Sequence, residues 1–271
     1  GKADPAPVEG DSLAGFEPDL DETVIAAQLA NPLDDPTAIL GQASTRLVYD
    51  LFAYHRTKDQ PQPAPPVVYT LARETHVSDL GPNEQSRIQH AFSYSDGFGR
   101  EIQKKAQAEP GPVPRRAADG RVLHDACGRV LMTDEALAPR WIASGWTLFN
   151  NKGKPVRQYE PFFSPTHGFE FGVRAGVSPI LFYDPLGRVV ATLHPNHCWE
   201  KVVFDAWRQD TWDVSDTIGI DPRTDADVKG FFVQSDDTAR LDEQDYLPLW
   251  YDLRTDPAQS ARLSDCYPDA T

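Results

Sequence analysis

Apolar positions change period once along this chain. From Asp19 to Pro32 (DLDETVIAAQLANP) they recur at helical spacing, with Leu20, Val24 and Ala27 on one face and Ile25 and Leu29 beside it. Asp19 or Asp21 supplies the N-cap, and Asn31-Pro32 ends the helix. A second short helix is predicted from Asp35 to about Ser44, with Pro36 in its first turn. Beyond residue 45 the period becomes two. Strands are predicted over 46–54, 67–76, 88–94 and 101–109, and then as short segments from Arg121 to Trp212. QPQPAPP (60–66) reads as extended, and 1–18 and 110–120 as irregular. At most one short helix is expected near 225–230, and another in DPAQSARL. The predicted fold is mainly β, of antiparallel strands and hairpins with a short helical segment near 19–44. Its divisions are 1–45, 46–251 and a tail, 252–271.

Between the strands one turn recurs. Asp96-Gly97-Phe98-Gly99-Arg100, Asp125-Ala126-Cys127-Gly128-Arg129 and Asp184-Pro185-Leu186-Gly187-Arg188 share Asp-x-x-Gly-Arg, and Asn150-Asn151-Lys152-Gly153-Lys154 is a looser copy. The Asp or Asn side chain can accept from the backbone two residues on. Gly99, Gly128, Gly153 and Gly187 supply the positive φ that re-enters the return strand. The turn itself does not call for the arginine, so Arg100, Arg129 and Arg188 are expected to lie on a neighbouring ring or pair with an acid. The second copy is the least regular in its flanks.

Composition narrows the function. Twenty-four prolines in 271 residues disfavour long helices, and a net charge of −15 opposes nucleic acid and anionic membranes. No apolar run has the length of a membrane span. The start at Gly1, without Met, reads as the interior of a longer protein. Cys127, Cys198 and Cys266, odd in number and widely spaced, read as free thiols, with a single pair as the lesser alternative.

Candidate chemistry is sparse. His194, His197 and Cys198 could ligate zinc, but adjacent strand residues diverge, and the plainer reading is a turn. Asp205, Asp210, Asp213, Asp216, Asp221, Asp225 and Asp227 could hold a pair of hydrolytic carboxylates, with Trp199, Trp207 and Trp212 for sugar stacking; loop-forming Asp and strand aromatics are the plainer reading. No nucleophile elbow, P-loop or dinucleotide fingerprint is present, and Ser178 is not in a Gly-x-Ser-x-Gly setting. The expected catalytic, cofactor and metal residues are therefore none.

The runs FYDPLGRVVATLHPN (182–196), FSYSDGFGREIQKKAQAEPGP (92–112), WTLFNNKGKPVRQYEPFFS (146–164) and HCWEKVVFDAWRQDTWDV (197–214) carry a family resemblance. The first resembles the YD repeat of the Rhs family. The others, with RLVYDLFAY (46–54), resemble the B component of bacterial toxin complexes, the SpvB/TcB-like insecticidal toxin proteins, from about Ser12 to Tyr251. The resemblance implies a secreted, non-enzymatic wall segment of a hollow β-shell that encloses a cytotoxic effector. It implies as partners a C component completing the shell, the enclosed effector domain and, through another part of the protein, a pore-forming A component. Direct membrane insertion is not implied. RVLHDACGRVLMTDEALAP (121–139), Cys198 and RLSDCYPDAT depart from the family pattern. Alternatives from the residues alone are a carbohydrate-binding β-module and a carboxylate-dependent glycoside hydrolase. In the wall reading, Tyr94, Phe162, Phe163, Phe182, Tyr183, Trp199 and Trp207 cement strand to strand.

Overall fold

The computed structural model describes residues 11, 15–118, 120–234 and 240–266. Most of the irregular start expected over 1–18, and the end of RLSDCYPDAT, lie outside these. The chain is mainly antiparallel β and forms two compact units. The first takes Gly1–Leu123, Leu131–Gly145 and Pro161–Val173; the second takes His124–Val130, Trp146–Glu160 and Arg174–Thr271.

The first unit opens with α1 (Glu22–Ala30) and α2 (Pro36–Leu40). Asp21 caps α1 by accepting the Thr23 N–H, and Asp35 caps α2 by accepting the Ala38 N–H, with Pro36 at the first helical position. Then come β1 (Thr45–Asp50), α3 (Ala53–Thr57), β2 (Val67–Arg73), β3 (Ile88–Ser95), β4 (Glu101–Ala108) and β5 (Arg140–Ala143). The strand expected over 46–54 therefore stops at Asp50, and Ala53 and Tyr54 are helical. Residues 110–120, expected as loop, pair in part: Gly111 bridges Leu137, Pro114 bridges Met132 and Arg116 bridges Val122. Prolines 110, 112 and 114 remove donors from the ladder and keep it to isolated bridges.

With β8 (Phe162–Ser164), the sheet order is β1-β2-β3-β4-β5-β8. One row of paired residues crosses it: Val48, Tyr69, Phe92, Lys105, Ala143 and Phe162. All six are buried, and Ile39 and Leu40 of α2 pack in the same core, with Leu20, Ile25 and Leu29 against it. Tyr69 stacks on Phe92 with ring centres 4.5 Å apart, and Trp141 meets Phe92 edge-on at 5.5 Å. The Tyr69 hydroxyl donates to the Pro32 carbonyl and lies 2.6 Å from His90 Nδ1, which makes that nitrogen the donor.

The second unit holds β6 (Thr147–Phe149), β7 (Pro155–Gln158), β9 (Ile180–Tyr183), β10 (Val189–Leu193), β11 (Trp199–Phe204) and β12 (Gln209–Trp212). Their order is β12-β11-β10-β9-β7-β6, again antiparallel. Its core gathers Ile180, Phe182, Leu193, Trp199, Phe232 and Tyr246. More helix follows than the sequence suggests: α4 (Val214–Thr217), α5 (Lys229–Phe232), α6 (Trp250–Thr255) and α7 (Pro257–Cys266). Asp213 and Asp216 close a capping box on α4, a signal carried by their own spacing. Cys127 and Cys266 form a disulfide, with Cα atoms 5.4 Å apart. This corrects the reading of three free thiols: 139 residues separate the partners, and only the fold brings them together. Cys198 remains a buried free thiol.

Candidate functional site

The four turns share one hydrogen-bond scheme. In the first, the Asp96 N–H donates to the Arg100 carbonyl and the Gly99 N–H to the Asp96 carbonyl. Asp96 Oδ1 accepts the backbone N–H of Phe98 at 2.8 Å and of Arg100 at 3.0 Å, while Oδ2 accepts Arg100 Nε–H at 2.7 Å. Asp125 repeats the three contacts with Cys127 and Arg129, at 2.8, 3.0 and 2.8 Å. Asp184 accepts from Arg188 N–H at 2.9 Å and Nε–H at 2.7 Å. Asn150 accepts the N–H of Lys152 and of Lys154. Gly99, Gly128, Gly153 and Gly187 have φ between 74° and 82°.

The trailing arginine is thus part of its own turn, which sharpens the expected pairing with an acid. Its guanidinium completes a clasp on the carboxylate that opened the turn. Arg188 also lies over Phe204 at 4.1 Å, and Arg100 over Phe98 at 5.1 Å. Partial burial opposes ionisation of Asp96, but the Arg100 and Phe98 hydrogen bonds outweigh it and hold the carboxyl below its ordinary range. At Asp125 and Asp184 the backbone N–H of the arginine is the main cause of the same lowering. The second copy, in the stretch that departs from the family pattern, keeps the same geometry.

Two further turns have this backbone scheme. The Ala117 N–H donates to Arg121 and Gly120 N–H to Ala117, with Gly120 at φ 85°. The His194 N–H donates to Cys198 and His197 N–H to His194, with His197 at φ 67°. The Gly-Arg pair at 120–121 was the available signal for the first. The second is the turn expected at His194–Cys198, with Asn196 accepting the Cys198 N–H and His197 standing where the others have glycine.

Each sheet also buries a lysine. In the first unit Lys105, 0% exposed, donates to Glu170 Oε2 at 2.6 Å, the Thr166 carbonyl at 2.8 Å and Ser164 Oγ at 3.4 Å. The other Glu170 oxygen accepts from Arg116 at 3.0 Å. Burial pulls the Lys105 ammonium below its ordinary range, more than Glu170 restores. In the second unit Lys201 lies 2.7 Å from both Asp225 and Asp227, and 4.0 Å from the Trp212 ring. Burial opposes its charge too, but the two carboxylates raise it. Strand alternation placed both lysines on core faces; their charge hid that placement.

The other candidates are dispersed. His197 Nδ1 lies 2.7 Å from the Pro248 carbonyl, His194 Nε2 lies 3.7 Å from Glu200, and Cys198 points into the interior. Among the described residues no three His, Cys, Asp or Glu side chains converge as a metal site. Asp205 holds the Trp207 and Arg208 N–H groups, Asp210 pairs with Arg208, Asp213 and Asp216 cap α4, and Asp221 pairs with Arg223. Trp199 is buried and bonds the Ile220 carbonyl, whereas Trp207 is 97% exposed, so it does not cement strands as expected. Ser178 Oγ accepts the Gln158 N–H.

The sheets end in open edges. On β1 the residues alternate exposed and buried, and Leu47 and Tyr49 face outward, followed by exposed Leu51, Phe52 and Tyr54. Among the described residues no strand pairs beyond β1 or β8 in the first unit, or beyond β12 or β6 in the second. No helix in the described residues is long and apolar enough to cross a membrane.

No known family matches the chain, and no curated protein matches it. Solved structures do. The chain is similar to part of the crystal structure of TcdB2-TccC3, at 26% identity and a TM-score of 0.55, over 77% of this chain and 9% of that one. It matches TcdB2-TccC3 without the hypervariable C-terminal region at 22% identity and TM-score 0.53, over 79% and 12%. The TcdB2-TccC3-Cdc42 structure gives 22% and 0.53, over 77% and 12%. The chain spans about a tenth of the proteins it matches, and its fold is related to part of these TcdB2-TccC3 structures.

Proposed function

We propose that this chain is a wall segment of a toxin-complex shell that encapsulates a cytotoxic effector for delivery, and that it acts without catalysis. One observation carries the reading: two six-stranded antiparallel sheets with open edges, related in fold over 77% of the chain to a tenth of TcdB2-TccC3. In this reading the segment belongs to a longer Rhs/YD-repeat, SpvB/TcB-like B component, secreted with its complex. Its partners are a C component that completes the shell, the enclosed effector domain and a pore-forming A component reached through another part of the protein.

The mechanism is physical. Strands bonded edge to edge leave no gap for a protease, and the clasped turns fix where each strand reverses. A wall also needs its edges covered, because unpaired strand edges bind other chains. The isolated segment is therefore expected to self-associate as concentration rises. Analytical ultracentrifugation reads this. A monodisperse monomer across the range, with high thermal stability, contradicts the wall role. The loop carboxylates are engaged by backbone N–H groups and arginines, which supports a role without hydrolysis; turnover of any glycoside, lost on a single Asp→Asn change, would refute it.

A further inference from the structure

Three hairpin tips of the second unit stand at one end of its sheet. Asn150–Lys154 joins β6 to β7, Asp184–Arg188 joins β9 to β10, and residues 205–208 join β11 to β12; His194–Cys198 turns at the other end. The first two tips touch: Lys152 Nζ donates to the Pro185 carbonyl at 2.6 Å, and the Tyr183 hydroxyl to the Pro155 carbonyl at 2.7 Å. A groove of about 780 Å³ lies there, floored by Val190, Val202, Phe204 and Phe231 and rimmed by Lys152 and Lys154.

The charge count on this groove is uneven. Its lining carboxylates are already engaged, Asp184 by Arg188 and Asp227 by Lys201, both at 2.7 Å. Lys152 bonds a neutral carbonyl, and Lys152 and Lys154 are both exposed. Two positive charges are therefore left over beside apolar surface, in a chain of net charge −15. The turn geometry adds a second feature. The third residue of a tip points outward: Leu186 is 80% and Trp207 97% exposed. Cys127 holds that same position in its own turn, and there it binds the helix α7 through the disulfide.

We propose that this rim docks a short polypeptide segment whose apolar side chains enter the groove between the tips and whose carboxylates meet Lys152 and Lys154. The site is independent of the wall role, since binding requires only the folded second unit. The test uses the whole chain and two fluorescent synthetic peptides with the same alternating Leu/Phe pattern, one carrying Asp and the other Lys at the intervening positions. The Asp peptide is expected to bind about tenfold or more tighter. Lys152→Glu with Lys154→Glu should erase or reverse that preference, and Leu186→Ser should weaken binding of the Asp peptide. Circular dichroism should show unchanged unfolding midpoints, because all three side chains are exposed. Equal affinity for both peptides, binding of neither, or a preference untouched by the double charge reversal overturns the proposal.

Discussion

Lys105 and Lys201 stand at comparable places in the two sheets, each on the core face of a strand, and are held in different ways. Lys105 is sealed in, with one carboxylate that it shares with Arg116. Lys201 has two carboxylates to itself, and one of them, Asp227, is 46% exposed. The ammonium is pulled down in the first case and raised in the second, although burial works against the charge in both. Lys105 is the more deeply desolvated and is repelled by Arg116, whereas Lys201 is held by two carboxylates. Both units have aromatic cores and clasped turns; the first has the longer strands, and the second adds a disulfide.

The comparison breaks most readily at Glu170. Glu170→Ala strands a buried charge and should cost the first unit about 3–5 kcal/mol, while Asp227→Ala leaves Lys201 its other partner and should cost the second about 1 kcal/mol. Urea unfolding followed by hydrogen exchange in each unit separates the two; equal losses would end the distinction. Next in size, reduction of Cys127–Cys266 or Cys127→Ser should cost the second unit about 3 kcal/mol, read as faster exchange in α7, with the first unit unaffected.

Acid should act on the first unit through His90. Burial pushes that imidazole down to about 4. An unfolded histidine titrates near 6.5, so between pH 6.5 and 4 the unfolded chain holds the extra proton and stability falls with pH. The stability at stake is about 3 kcal/mol, fully present above pH 6.5 and lost by pH 4. Unfolding midpoints across that range should fall more steeply in the parent than in a His90→Gln variant, where His167, also pulled down by burial, keeps part of the slope. The smallest effect is at the turns. Gly187→Ala must hold an L side chain at φ 82° and should cost about 1–2 kcal/mol, whereas Gly97→Ala, outside the left-handed region, should cost less.

What the sequence made legible follows from how local each cause is. An Asp, two small steps and a Gly decide a turn within five residues, and strand alternation decides which side chains face in. The cap of the first helix, at Asp19 or Asp21, and Pro36 in the first turn of the second are readable for the same reason. The His194 turn is legible as a turn from its Pro-Asn pair, but its shared scheme is not, because those bonds are made by backbone groups that any residue carries. The Cys127–Cys266 pairing, the Lys105–Glu170 pair and the end of β1 at Asp50 depend on partners brought by the fold. Trp207 was misjudged because a tip and a strand look alike in an aromatic-rich run.

In the proposed reading these sheets form part of a closed wall. Electron microscopy of the longer protein in complex, with a label placed at the exposed Trp207 position, tests it directly. A hollow particle with the label on its wall is the expected image. A solid particle, or a label on a separate lobe away from any shell, would contradict it.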